Sequence, residues 1–133
     1  MEPRISIITL GVQDLDRSVD FYRDGLGLPL QEGYEGQIAF FELIGTWLAL
    51  YPRESLSADA NQSPSGDGFQ GFTMAHNVGS REDVNQLISK ASSAGAQVVK
   101  EPQDTEWGGY SGYFKDPDGF LWEIAWNPYF KIE

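Results

Sequence analysis

The sequence predicts an α+β fold of two tandem βαβββ modules, and three observations carry that expectation. A strand followed by a capped helix occurs twice, each helix stops at glycine, and an alternating strand follows a tight turn near the end of the chain. Each half is small enough to need its neighbour to bury its sheet face.

In the first module, residues 5–52, the run Ile7-Ile8-Thr9-Leu10-Gly11-Val12 reads as a strand. Asp14 then caps a helix whose apolar positions Leu15, Val19, Tyr22 and Leu26 recur at helical spacing. Gly25 and Gly27 end it, and strands are expected at 37–43 and 46–51, joined at Ile44-Gly45. Residues 53–69 are rich in Ser, Gly, Pro and Asp and read as a polar linker, with an ordered crossover as the alternative. The second module, 70–130, repeats the programme. Residues 72–78 form a strand, Ser80 caps a helix striped with Val84, Leu87, Ile88 and Ala91, Gly95 ends it, and strands follow near 97–100, 112–114 and 120–126. The whole chain, 1–133, is expected to be one domain.

The most informative segment is Lys115-Asp116-Pro117-Asp118-Gly119-Phe120-Leu121-Trp122-Glu123. Asp116 suits a backbone-capping turn position, Pro117 presets a dihedral, and Gly119 tolerates the exit conformation. In the strand beyond, Phe120, Trp122, Ile124 and Trp126 share one face. Glu123 points with Leu121 and Ala125 to the other, so a lone carboxylate sits among apolar neighbours and calls for a metal, a ligand, a protein group or water.

The stretch ITLGVQDLDRSVDFYRDGLGLPL, with DPDGFLWEIAW closing the second module, resembles the vicinal oxygen chelate superfamily of glyoxalase I, bleomycin-resistance proteins and extradiol dioxygenases. That resemblance implies curved mixed sheets around a cup, and chemistry that differs widely between members. It also implies metal-ligand positions on the first and last strand of each module. Here those positions are Ile7, Ala49, Thr73 and Glu123, and only Glu123 is a plausible ligand, so no metal cofactor is expected; weak magnesium or manganese binding is the residual option. His76, the one histidine, has the wrong parity for the cup and is expected in a core or interface position rather than as a ligand.

On the same register the cup would be lined by Ile7, Thr9 and Gly11, by Trp47, Ala49 and Tyr51, by Thr73, Ala75 and Asn77, and by Leu121, Glu123 and Ala125. That is an aromatic and aliphatic lining with a few polar groups, as small-molecule sites have. The segment 104–113 admits two readings: its glycines let Trp107, Tyr110 and Tyr113 lie over the cup mouth, or it is a β-bulge or a plain turn with aromatics docked on the core.

Composition bounds the partners. The chain has 20 acids against 9 bases, a net charge of −11, which repels phosphate backbones and anionic membranes and attracts cations. No apolar stretch reaches the roughly 20 residues of a membrane helix, and the absence of cysteine removes thiol catalysis and disulfides. Met1 to Arg4 lead into the first strand without signal-peptide character, so a cytoplasmic location is expected, and a homodimer is the expected assembly.

Three functions compete. The first is binding of a small aromatic or cationic ligand in a metal-free aromatic cup. The second is a lyase, isomerase or hydrolase with Glu123 as general base and Tyr110, Tyr113 or Thr9 as partner. The third is an interaction subunit whose cup is filled by Trp47, Tyr51 and Trp107.

Overall fold

The computed structural model describes residues 1–129. It divides into two compact units, Met1–Asp67 and the segment from Gly68 onward. The last position of the expected second module, 130, lies outside the described residues.

In the first unit β1 (Ile7–Val12) is followed by α1 (Leu15–Asp20), β2 (Ala39–Glu42), β3 (Trp47–Pro52) and α2 (Arg53–Asp59). Asp14 caps α1 as expected, its side chain accepting from the Arg17 amide at 3.1 Å. A wider π-helical turn, Phe21–Gly25, extends α1, and the Leu26 amide bonds back to the Phe21 carbonyl at 2.9 Å. The sheet order is β1-β3-β2, with β1 parallel and β2 antiparallel to β3. A fourth strand is reduced to one bridge, Leu30 to Phe41, because Pro29 and the positive-φ Gly33 and Gly36 interrupt extended backbone on either side. One face of this sheet carries Leu10, Val12, Phe41, Leu48 and Leu50, all buried with Val19 and Tyr22 of the helical segment; the Tyr22 and Phe41 rings lie 6.2 Å apart.

Within 53–69, expected as a polar linker or an ordered crossover, the first seven residues are helical. The cause is a close approach at Gly11. A Cβ there would stand 3.2 Å from the Arg53 Cα and 3.3 Å from the Leu56 Cδ2, so the bare glycine admits α2 against β1. The Arg53 guanidinium then ties back the following segment through the Pro64 carbonyl at 2.6 Å.

In the second unit β4 (Met74–Val78), α3 (Arg81–Ser93), β5 (Gln97–Asp104), β6 (Tyr110–Lys115) and β7 (Leu121–Trp126) build a four-stranded sheet in the order β4-β7-β6-β5. The β4-β7 pair is parallel and the other two are antiparallel. Ser80 caps α3 through the Asp83 amide at 3.1 Å, and Val84, Ile88 and Ala91 are its buried stripe. This helix lies on the face of Tyr110, Phe114, Trp122, Ile124 and Trp126: the Tyr110 hydroxyl donates to the Asn85 side chain at 2.8 Å, and the Arg81 guanidinium covers the Tyr110 and Trp126 rings at 5.2 and 5.3 Å. Both modules thus share one topology, with first and last strands parallel neighbours and the helix on one side.

Candidate functional site

The turn after β6 determines what lies opposite Glu123. The buried Asp116 side chain accepts from the Asp118 amide at 2.9 Å and the Phe120 amide at 2.8 Å, while the Gly119 amide bonds the Asp116 carbonyl at 3.0 Å. Gly119 has φ +90°, a conformation that favours glycine. This closed turn pairs Lys115 with Leu121, and the antiparallel register then sets Tyr113 directly across from Glu123 and Ser111 across from Ala125.

Tyr113 and Glu123 are both half-buried and stand directly opposite each other across the two strands. Burial first, then the charge and hydrogen bond of the Glu123 carboxylate, raise the Tyr113 phenol above its ordinary value. Their face, away from α3, also holds buried Ala125 and Ser111, half-buried Leu121 and Lys115, and exposed Ala75 and Asn77 by register.

Other residues proposed from the sequence are placed differently. Tyr110 is corrected to the helix side, because its strand parity and its bond to Asn85 direct it away from Tyr113. Trp107 belongs to a tight β5–β6 turn, in which the Gly109 amide bonds the Thr105 Oγ1 at 3.0 Å and the Thr105 amide bonds the Gly109 carbonyl at 3.0 Å. Its ring lies against Gly109, where a Cβ would stand 2.0 Å from it, and remains 47% exposed. Thr73 precedes β4 and is exposed. His76 pairs with Ile124 on the helix side, as its parity implied, but it is exposed on an edge strand rather than in a core.

In the first unit, Ile7, Thr9, Trp47 and Tyr51 share the face opposite α1, together with buried Ala49. Gly11 also belongs to that face by parity, but α2 covers it. Two residues absent from the sequence-based set join this face: Phe40, whose ring meets Trp47 edge-on at 6.3 Å, and Glu42, paired with Trp47. Strand parity signals both, since Ala39 and Phe41 face the core.

A transition-metal centre needs three or four nitrogen, sulfur or oxygen ligands, and these positions do not fit one. Ile7 and Ala49 carry no donor atom, and His76 faces away from Glu123. No grouping of three or more His, Cys, Asp or Glu side chains suited to a metal occurs among the described residues.

Comparisons with known proteins agree with this architecture. The model of the Glyoxalase/Bleomycin resistance protein/Dioxygenase superfamily matches residues 4–124. The chain is 32% identical to the uncharacterized protein YraH of Bacillus subtilis over 122 residues, covering 88% of this chain and 93% of YraH. It is 31% identical to the metallothiol transferase FosB of Shouchella clausii over 124 residues, 90% of this chain and 77% of that one. Among solved structures, a glyoxalase-related enzyme from Fulvimarina pelagi is similar, with a TM-score of 0.91 at 32% identity, covering 98% of this chain and 93% of the other. The chain belongs to the glyoxalase/bleomycin resistance protein/dioxygenase superfamily.

Proposed function

We propose that this protein binds a small organic ligand without a metal, holding a cationic or hydrogen-bond-donating group of the ligand against Glu123. The observation that carries the proposal is the register of β6 and β7, which sets half-buried Glu123 across from Tyr113 on the sheet face away from α3, in line with Leu121 and Ala125. A half-buried carboxylate with remaining acceptor capacity favours an ammonium or amide donor over a carboxylate or phosphate ligand. The net charge of −11 draws the same class of ligand. FosB is a metallothiol transferase, so metal chemistry occurs among the relatives; the donor set of this chain argues for a different use of the fold.

The test is a fluorescence or calorimetric titration of the full chain with aromatic amines, before and after dialysis against a chelator. We expect chelation to leave affinity unchanged and Glu123→Gln to weaken it by roughly tenfold, the loss of one charged contact. Binding that disappears on chelation, or that ignores Glu123→Gln, sinks the proposal.

The second reading is catalysis, favoured by the same juxtaposition of a phenol and a carboxylate. Glu123 would take a proton from a bound carbon or oxygen acid while the protonated Tyr113 phenol donates to the developing anion. Turnover of any bound compound that Glu123→Gln abolishes, with binding retained, would select this reading over simple binding.

A further inference from the structure

We infer that the ligand is a zwitterion with an apolar side group, its cationic group held by Glu123 and its anionic group by Lys115. The inference rests on the reading above and adds the second charge. Lys115 pairs with Leu121 and Glu123 follows two positions along β7, so the two charged residues are diagonal neighbours on one face, a separation of about 7–8 Å between such positions. Lys115 is half-buried yet forms no ion pair with any described residue, and Glu123 stands across from Tyr113. An ammonium and a carboxylate on one sheet face, left unjoined, present complementary charges for one molecule to bridge.

A second observation supplies the place for the rest of the molecule. At the Lys115–Leu121 end an open depression of about 160 Å³ is lined by Phe69, Phe72, Phe120 and Leu121 together with Gln70 and Lys115. Its size suits one aromatic or branched aliphatic group. Phe69 is 71% exposed and Phe72 42% exposed, although Phe72 meets the buried Phe120 ring at 6.2 Å. Exposed rings clustered beside an unpaired cation are apolar surface that a ligand would cover. The combination, one anion site, one cation site and one aromatic pocket within one sheet end, matches an aromatic α-amino acid or a compound carrying the same three groups.

The experiment uses three probes that differ only in charge: phenylalanine, 2-phenylethylamine and 3-phenylpropanoate. Each is titrated to millimolar concentration into the full chain, followed by amide chemical shifts. Phenylalanine is expected to bind at least about tenfold more tightly than either analogue. Lys115→Gln should erase its advantage over the amine, and Glu123→Gln its advantage over the acid, with shifts centred on Phe72, Lys115 and Leu121. Equal binding of the three probes, an advantage that survives Lys115→Gln, or no binding of phenylalanine overturns the inference. An amine that binds as well as phenylalanine and depends on Glu123 overturns the zwitterion alone and leaves the metal-free binding proposal standing, whereas loss of amine binding on chelation removes that proposal.

Discussion

Tyr113→Phe tests for a hydrogen bond between the Tyr113 hydroxyl and the Glu123 carboxylate that faces it across the strand pair, because it deletes one hydroxyl and leaves the ring. A bond to a charged acceptor contributes about 1.5–3 kcal/mol, and partial exposure of both side chains reduces this to about 1 kcal/mol. Across the 133 residues an unfolding entropy of about 2.1 cal/mol/K per residue gives roughly 0.28 kcal/mol/K, so the melting temperature should fall by about 4 °C. The hydroxyl and the carboxylate act together, so the double-mutant cycle of Tyr113→Phe with Glu123→Ala should show a coupling of about 1 kcal/mol in urea unfolding. The pH dependence gives an independent check. The folded phenol holds its proton more tightly than the unfolded chain does, so its contribution is complete below about pH 10 and is lost as pH rises through the higher folded value. The gap between the parent protein and Tyr113→Phe should be constant from neutral pH to about 9.5 and narrow above 10. Tyr34, pushed up to about 12 by burial and by Asp16, titrates identically in both proteins and cancels in the difference. Coupling below about 0.3 kcal/mol, or a gap that widens in alkali, would refute the assigned bond.

Two further substitutions test the scaffold. At Gly112 a Cβ would stand 2.9 Å from the Lys100 carbonyl oxygen and 3.0 Å from the Pro102 nitrogen, both backbone atoms beside the irregular β5–β6 pairing. Gly112→Ala should therefore destabilise by about 1–3 kcal/mol in urea unfolding, and an unchanged midpoint would contradict the close approach. The Ser18 hydroxyl is buried in α1 with no hydrogen-bond partner among the described residues, so Ser18→Ala should raise stability by about 1 kcal/mol; a clear loss would reveal a partner.

The sequence alone determined the local elements. Asp14 and Ser80 as caps, the two glycine-terminated helices and the Asp116 turn each depend on short-range hydrogen bonds and dihedral preferences, which neighbouring residues specify. It also determined the position of Glu123 across from the helix side, because strand parity follows from counting once the turn is known. It did not reveal α2, whose polar residues read as a linker; that helix depends on Gly11 of β1 lying bare beside Arg53 and Leu56, a contact between distant positions. Nor did it separate Tyr110 from Tyr113. Three residues apart in an aromatic, glycine-rich run, both looked available, and only the pairing of β6 with β7 and the seating of α3 send one to Asn85 and the other to Glu123. Caps, turns and alternation are local and therefore legible in the chain, whereas the partner of a side chain is chosen by which strands and helices meet, and that was decided by tertiary packing.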